Sequence, residues 1–310
     1  MSADRARMEE WPFGPFPLDL ASLREKVASN IYGGFDSGGV PIVNYTSLDM
    51  PVSGLHYNPG LVALYGISLF DHYLSEGKED DKERFFRQAG WLVSHLRRDR
   101  GIGVWEYRFD LSTFGLTAPW VSALAQGLGL SALSRAYALS PDPQYLESAK
   151  AALGTFRLSV AHGGVRREEA DGSVWFEEYP SDPPSLVLNG FIYALFGLLD
   201  HHRTFADAEA KIFYNEGVAT LERHLHCFDT GFWSFYSYPR RMLADLHYHR
   251  DIHIPQLLAL HRHTTIPLFA ETAERWERYT RSLYSALRRR LYRFPQRLVG
   301  RLERLLRTRQ

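Results

Sequence analysis

The chain has 310 residues, of which 45% are hydrophobic and 14% aromatic, so it can bury one large core and is not typical of a disordered protein. Its formal net charge is zero, which gives no whole-chain signal for nucleic-acid binding. A single cysteine, Cys227, excludes a disulfide within the chain. No apolar run reaches the roughly 18 residues of a membrane-spanning helix, and the first residues lack a signal-peptide pattern, so we expect a cytoplasmic protein.

Residues 1–55 are rich in glycine and proline, which predicts a wrapping segment with one short helix near 18–29. The chain beyond is predicted to be helical. Four apolar segments each follow a proline, and proline favours the first helical position because no partner exists there for the N–H it lacks. The predicted starts are Pro59, Pro119, Pro184 and Pro255.

Each apolar segment is followed by a more charged segment with a single apolar stripe, as in EDDKERFFRQAGWLVSHLRR, residues 79–98. Helices that are apolar on most faces are buried, whereas helices with one stripe lie outside them. The alternation predicts a mainly α fold, an α/α toroid in the form of an incomplete barrel of about four helical hairpins. An irregular helical bundle is the alternative. We predict a wrapping segment over 1–55, a toroid over 56–292 and a separate tail over 293–310.

The segments just before the four apolar helices concentrate tyrosine, tryptophan, glutamate, arginine and histidine. In a toroid these loops meet at one end, above the helix N-termini, where free N–H groups favour anions. Aromatic rings offer flat apolar faces to sugar rings, and tyrosine hydroxyls add polar contacts. This pattern indicates a cleft for an acidic glycan. The alternative is that the aromatic side chains only cap the core.

Five blocks of the sequence, in order along the chain, resemble the D-glucuronyl C5-epimerase family in its C-terminal catalytic domain. They are PWVSALAQGLGLSALSRAYALSPD (119–142), WFEEYPSDPPSLVLNGFIYALFGLLD (175–200), FDTGFWSFY (228–236), YHRDIHIPQLLAL (248–260) and RWERY (275–279). The similarity extends from about residue 57 to 279, far beyond one short motif. It also implies short β-hairpins at the active-site end of the toroid.

Two departures from the family pattern stand out. Only about 55 residues precede the domain, where the animal enzymes carry a large β-rich region. The family also reads Tyr-His-x-x-His, whereas here one additional residue separates Tyr248-His249 from His253. Either Tyr248 or His249 can therefore take the place of the catalytic tyrosine. We assign Tyr248, because the family uses a phenol.

The resemblance implies inversion of C5 in D-glucuronate within a heparosan-like polysaccharide, giving L-iduronate. Such a reaction needs two proton-transfer groups on opposite sides of the sugar ring and hydrogen-bonding or positive groups at the carboxylate. By resemblance, Glu178 and Tyr179 stand on one side, and Tyr236 and Tyr248 on the other. The predicted substrate-binding residues are Tyr57, Asn58, Trp105, Tyr107, Trp120, Gln126, Arg135, Trp175, Asn189, Arg240, Arg241, His249 and Arg250. Core packing is the alternative for Trp105, Tyr107 and Trp175. Solvated surface positions are the alternative for Arg240, Arg241 and Arg250, and a structural role between buried helices is the alternative for Gln126, Arg135 and Asn189.

No cofactor is expected, since the sequence lacks a phosphate-binding glycine loop and a dinucleotide fingerprint. The alternation of His247, His249, Asp251 and His253 resembles the spacing of metal ligands. Without a fourth-ligand cluster, and because the epimerase reaction needs no metal, we predict no metal site.

From Arg281 onward the chain has ten arginines and one glutamate, and leucines recur at steps of three and four. We expect the stretch 283–291 to extend the last outer helix onto the core. Beyond Pro295, a basic amphipathic tail is predicted to hold the protein at the inner membrane face or on an acidic polysaccharide. A homodimer is a further prediction, by family analogy alone.

Two other functions are compatible with the sequence. A polysaccharide lyase shares the carbanion at C5 and then expels the C4 substituent, so the same residues can serve it. A non-catalytic module that binds acidic glycans is the second alternative, and the shifted Tyr-His spacing keeps it open.

Overall fold

The computed structural model describes residues 14–48 and 52–292, and helices dominate these ranges. The helices are α1 Ala21–Ala28, α2 Pro59–Glu76, α3 Glu79–Ser94, α4 Ala123–Leu139, α5 Pro143–Leu153, α6 Leu188–Phe205, α7 Ala208–His224, α8 Ile254–Thr264 and α9 Pro267–Arg281. A π-helix, Tyr248–His253, leads directly into α8. Over these described ranges, no helix is both long and apolar enough to cross a membrane.

The strands are short and form antiparallel pairs in the segments between the helices. One sheet has the order β1-β2-β3, formed by Gly33–Phe35, Pro41–Asn44 and Leu55–His56. The other strands form the hairpins β4–β5 (Arg97–Asp99, Ile102–Val104), β6–β7 (Glu106–Tyr107, Trp120–Val121), β8–β9 (Arg166–Glu168, Val174–Phe176) and β10–β11 (Phe235–Ser237, Met242–Leu243).

The chain divides into two compact units between Arg223 and His224. In the first unit, α2, α4 and α6 are buried on most faces, while α3 and α5 bury one side only, as the alternating composition predicts. The backbones of α4 and α6 approach closely at two glycines. A Cβ added to Gly127 would lie 2.5 Å from Ala194 Cα, and one added to Gly197 would overlap the Gly127 carbonyl. Only glycine permits this contact.

Of the four predicted proline starts, Pro59 is correct: it begins α2 after the cap Asn58, whose side chain accepts the Leu61 N–H. Pro255 lies in the first turn of α8, but the helical backbone already begins at residue 246 and continues through the π-helix. The predictions at Pro119 and Pro184 are wrong, since α4 begins at Ala123 and α6 at Leu188. Strand pairing between β6 and β7 occupies the residues after Pro119, and side-chain hydrogen bonds hold those after Pro184 in a loop.

The expectation that residues 283–291 extend the outer helix onto the core is also wrong. Ser282 has an extended backbone that ends α9, and residues 283–292 form a new helix. Its leucines are exposed, Leu283 at 89%, and contacts with the rest of the second unit come from Arg288 over Phe232, Arg289 over Trp233, and Tyr292 against Phe232 and Phe235. The predicted basic tail, residues 293–310, lies outside the described residues.

Asp71, on α2, holds the N-terminal segment of the first unit. Its carboxylate accepts the backbone N–H of Phe16 at 3.1 Å, and Phe16 itself is buried against Tyr193 and Phe196. Burial raises the pKa of Asp71 to about 6, although the nearby Arg135 opposes the shift. The folded protein therefore binds a proton at this site more tightly than the unfolded chain does.

Asp71 should thus contribute most to stability in acid. Its contribution is complete below the ordinary carboxyl pKa near 4 and is lost as pH rises through about 6. Relative to Asp71→Asn, the wild-type free energy of unfolding should fall by about 1 kcal/mol between pH 5 and pH 7.5. Urea denaturation of both proteins at the two pH values measures this change, and parallel pH profiles would contradict it.

Candidate active site

The loop that carries Glu178 and Tyr179 leaves strand β9 in the first unit and is anchored by the preceding residue. The carboxylate of Glu177 is buried and accepts the Ser185 hydroxyl at 2.6 Å, the Leu186 N–H at 3.0 Å and Arg167 Nε at 2.8 Å. This acid is therefore fully engaged in structure. It fixes both the exit from β9 and the entry to α6.

Glu178 points away from this anchor, toward the first turn of α6. It is buried, and the backbone of Gly190 lies directly beneath its side chain. A Cβ added to Gly190 would lie 2.5 Å from Glu178 Cβ and closer still to Oε2. The glycine therefore makes the room in which this carboxylate sits.

Replacing Gly190 by alanine should displace Glu178. Overpacking of this kind costs about 1 to 3 kcal/mol, and a shift of about 1 Å in a reacting group lowers rates by up to about 100-fold. We expect the free energy of unfolding to fall modestly and any turnover to fall at least about tenfold. Gly90→Ala is the control, because its added methyl group meets nothing within 4 Å. Equal activity of the two variants would refute the prediction.

Tyr179 is half-buried and surrounded by aromatic rings. Phe114 stacks on it at 4.0 Å between centroids, and Trp120 lies tilted at 5.8 Å. Trp120 in turn stacks on Tyr107 at 4.2 Å. These contacts fix the phenol plane of Tyr179 on rigid elements, among them the β6–β7 hairpin. Phe114 was not predicted from the sequence, because nothing in its neighbourhood distinguishes it from a core residue.

Two further tyrosines predicted at the site are held as neutral phenols. Tyr107 is buried and donates to Asn58 Oδ1 at 2.9 Å, and burial raises its pKa well above the ordinary value. Tyr57 is half-buried and donates to the Asp36 carboxylate at 2.7 Å, a hydrogen bond that raises its pKa to about 12. Neither phenol is suited to act as a base near neutral pH.

The side chain of Asn58 forms hydrogen bonds with one backbone group and two tyrosine hydroxyls around the start of α2. It caps the helix at Leu61, accepts from Tyr107 and donates to Tyr45 at 2.9 Å. The structure places the remaining predicted residues of the first unit in its interior, each at most 2% exposed: Trp105, Gln126, Arg135, Trp175 and Asn189.

These buried side chains link neighbouring helices and loops through hydrogen bonds and packing. Arg135 donates to Asp200 at 2.6 Å and so links α4 to α6, while Gln126 donates to the Trp105 carbonyl at 3.2 Å. Trp105 fills the space above Gly129, where an added Cβ would overlap its ring, and donates to the Leu92 carbonyl. Their burial points to structural support for this part of the unit.

In the second unit, Tyr236 and Tyr248 form an edge-to-face pair with ring centroids 4.9 Å apart. Tyr236 lies on β10, whereas Tyr248 is the first residue of the π-helix and is half-buried. The structure thus brings together two of the tyrosines assigned by sequence, one from a hairpin and one from a helix start.

Behind Tyr248, a fully buried serine joins two histidines. Ser234 N–H points to His249 Nδ1 at 3.2 Å, so this nitrogen is an acceptor and the proton lies on Nε2, which donates to the Trp276 carbonyl at 3.1 Å. The Ser234 hydroxyl then donates to His249 Nδ1 at 2.7 Å and accepts from His253 Nδ1 at 3.0 Å. This assignment satisfies the Ser234 hydroxyl, both ring nitrogens of His249 and Nδ1 of His253.

Both imidazoles are neutral at physiological pH. Burial lowers the pKa of His249 to about 4 and that of His253 well below its ordinary value. His249 also stacks on Trp233 at 3.7 Å and has no exposed surface. Of the two residues that compete for the catalytic tyrosine's place, the histidine is therefore locked into the core, and Tyr248 is the one that reaches the surface of the unit.

The segment Tyr248–His253, which reads Tyr-His-x-x-x-His, is a π-helix. A π-turn holds one residue more than an α-turn. His249 and His253 both point into the core, while Arg250 and Asp251 lie outside and pair at 2.6 Å. Widened turns of this kind occur frequently at functional sites.

The predicted arginines of the second unit lie on two turns. Arg240 is half-buried and Arg241 exposed in the turn between β10 and β11, where Arg241 has a left-handed backbone with φ of 51°. Arg250 is exposed on the π-helix and bound to Asp251. His247 pairs with the same Asp251 at 3.2 Å. In the part of the chain that the structure describes, no group of three His, Cys, Asp or Glu side chains is arranged to hold a metal ion.

Comparison with known proteins identifies the family. The family model described as D-glucuronyl C5-epimerase C-terminus matches residues 98–278, more than half of the chain. The chain belongs to this family. The resemblance noted in the sequence blocks is thereby confirmed.

The chain covers different shares of two of its relatives. It is 34% identical over 226 residues to the D-glucuronyl C5-epimerase of Caenorhabditis elegans, covering 66% of this chain and 36% of the nematode protein. It is 32% identical over 254 residues to an uncharacterised protein of Methanocaldococcus jannaschii, covering 76% of this chain and 82% of the archaeal protein. The chain thus spans about a third of the length of the nematode enzyme.

Solved structures show the fold of this family member. The unsaturated glucuronyl hydrolase of Bacillus sp. GL1 superposes with a TM-score of 0.51 at 15% identity, over 84% of this chain and 65% of that protein. The Lin0763 protein of Listeria innocua superposes with a TM-score of 0.51 at 11% identity, over 70% of this chain and 59% of that protein. These likenesses confirm the predicted α/α toroid class and carry no inference about activity.

Proposed function

We propose that the chain is a polysaccharide epimerase that inverts C5 of D-glucuronate residues to L-iduronate, with a heparosan-like polymer as substrate. Family membership supports the reaction class. The observation that carries the proposal is the consecutive pair Glu178 and Tyr179, a buried carboxylate and a half-buried phenol on a loop that Glu177 anchors. An acid and a phenol placed in this way can exchange a proton with a sugar carbon.

The reaction requires two proton transfers and no net redox change. A base removes the C5 proton, which is activated by the adjacent carboxylate, and the electron pair of the C–H bond moves onto that carboxylate as an enediolate. An acid on the opposite side of the ring then delivers a proton to C5, and the carboxylate is restored. The catalyst must supply both groups and stabilise the intermediate charge.

In the proposal, two sets of side chains carry the proton transfers. Glu178 and Tyr179 serve one transfer, and Tyr248, with Tyr236 against its ring, serves the other. A phenol is a weak base at its ordinary pKa near 10, so a cation must lower it. Arg240, in the turn after Tyr236, is the arginine we assign to this task or to the uronate carboxylate. We assign structural roles to the interior residues Trp105, Gln126, Arg135 and Trp175.

NMR of polymer incubated with the protein in D₂O tests the proposal. Heparosan and N-sulfated heparosan should acquire deuterium at C5 of their uronates, together with iduronate signals. Deuterium without iduronate would mean that only one proton-transfer group works. Unsaturated uronate, detected by its ultraviolet absorbance, would show a lyase instead, because the same carbanion then expels the C4 oxygen. Binding without any exchange would overturn the enzyme assignment in favour of a glycan-binding module.

A further inference from the structure

A cleft of about 630 Å³ opens in the first unit, and neither Glu178 nor Tyr179 lines it. Most of its lining comes from strand β3 and the residues after it, from the end of α3 with the start of β4, and from strand β6 with its neighbours, and Ile42 of β2 adds to it. Ten of its thirteen lining residues precede residue 98, where the match to the family begins. The cleft is therefore a feature of this chain that the family match does not cover in full.

Aromatic rings form one wall of the cleft. His95 stacks on Trp91 with centroids 4.3 Å apart and planes 12° from parallel, and Tyr57 lies 5.2 Å from Trp91. The hydrogen bond from the Tyr57 hydroxyl to Asp36 fixes that ring in place. Rigid ring faces of this kind suit the apolar C–H face of a sugar, because little side-chain entropy is lost on contact.

The opposite wall carries net positive charge. Glu106 is 9% exposed and contacts Arg97 Nε at 2.5 Å and an Arg108 terminal nitrogen at 3.5 Å. One carboxylate cannot neutralise two guanidiniums, so the group keeps a charge of about +1 and several N–H donors toward solvent. Arg97 is 51% exposed and Arg108 78%. Guanidiniums hold carboxylates in a bidentate manner, which favours an acidic ligand.

Strand β6 relates this cleft to the Glu178–Tyr179 loop. Successive side chains of a strand point to opposite faces. Tyr107 points toward Trp120, whose ring contacts Tyr179, whereas Glu106 points into the cleft. The cleft and the loop thus lie on the two faces of one short strand.

We propose that this cleft is a separate binding subsite for a uronate-bearing stretch of the same polysaccharide chain, away from the residue that reacts. A sugar ring lies on the outer face of His95, which the buried Trp91 supports from the other side, and a uronate carboxylate binds Arg97 and Arg108. The identity of the polymer rests on the proposed function. The ligand class, an acidic glycan, rests on the pairing of an aromatic wall with exposed arginines.

The variants that test this subsite change exposed side chains, so folding should survive. Arg108→Glu reverses a charge while keeping the contact between Arg97 and Glu106, and His95→Ala removes the upper ring of the stack. Each should weaken binding of long heparosan roughly tenfold in isothermal titration, the effect of losing one hydrogen bond to a charged group. Binding of a heparosan tetrasaccharide, which is too short to fill both sites, should be unchanged.

Arg203→Glu is the matched control, because it reverses an exposed arginine elsewhere in the first unit, on α6, and should leave polymer binding within about twofold of wild type. Wild-type polymer affinity in Arg108→Glu would overturn the subsite, whether or not the protein shows C5 exchange. Weaker binding in a protein without exchange would support the subsite and refute only the epimerase proposal. An equal loss of binding to polyglutamate would overturn the glycan assignment.

Discussion

Glu178→Gln should abolish C5 exchange without unfolding the protein, whereas Glu177→Gln should unfold it more easily without abolishing exchange. The two glutamates are adjacent and both buried, yet their surroundings differ. Glu177 accepts from Ser185, the Leu186 N–H and Arg167. Glu178 lies over Gly190, at the loop position where the proposal places a proton transfer.

The expected magnitudes separate the two roles clearly. Loss of a general acid or base lowers a rate about 100- to 10,000-fold, so deuterium incorporation in Glu178→Gln should fall by at least about 100-fold. Removing the charge of Glu177 breaks a buried ion pair and weakens two hydrogen bonds, at a cost of roughly 2 to 4 kcal/mol. Exchange rate per folded molecule should then change only a few-fold.

Urea denaturation and exchange measured by NMR on the same samples provide the comparison. Tyr179→Phe is the companion variant, since it removes the phenol hydroxyl and keeps the ring between Phe114 and Trp120. It should lose exchange as Glu178→Gln does. If Glu177→Gln and Glu178→Gln lost stability and exchange equally, the separation of an anchor from a reacting acid would be wrong.

Ser234→Ala should disrupt the support of Tyr248. The hydroxyl donates to His249 Nδ1 and accepts from His253 Nδ1, so its removal leaves His253 Nδ1 without that partner, while His249 Nδ1 keeps the Ser234 N–H. Leaving such a buried group unsatisfied costs about 1 to 3 kcal/mol. The π-helix that begins at Tyr248 contains both histidines, so its geometry should relax and displace the phenol.

We therefore expect Ser234→Ala to lose about 1 to 3 kcal/mol of stability and at least about tenfold in exchange rate per folded molecule, with polymer affinity within about twofold. The control is Ser134→Ala, a fully buried hydroxyl on α4 that makes no hydrogen bond among the described residues. It should be close to wild type. A Ser234→Ala protein that is destabilised yet exchanges at the wild-type rate would separate the serine from Tyr248 and refute its positioning role.

Much of the helical fold could be predicted because burial leaves a periodic signature. The alternation of apolar and striped segments predicts inner and outer helices correctly, including α4, α6 and α9. The starts at Pro119 and Pro184 failed because long-range contacts decide the conformation there, strand pairing in one loop and the Glu177 anchor in the other. No local pattern contains that information.

The candidate site could be predicted from the sequence only in part, again because long-range contacts decide the role of each residue. Family resemblance points to Glu178, Tyr179, Tyr236 and Tyr248, but cannot distinguish which neighbours are structural. Ser234 and Gly190 were not predicted, although a glycine in the first turn of an apolar helix is a usable signal of close approach. The exposed leucines after Ser282 were predicted to be buried because periodicity does not reveal where one helix ends and the next takes a new direction.

The widened turn at Tyr248–His253 has a consequence for how this segment tolerates changes in length. Ser234 hydrogen-bonds to both core histidines of this segment, while Arg250 and Asp251 lie on its solvent-facing side. Because a π-turn holds one residue more than an α-turn, we expect deletion of one residue on the solvent-facing side to give an ordinary α-turn and to leave the register of α8 unchanged.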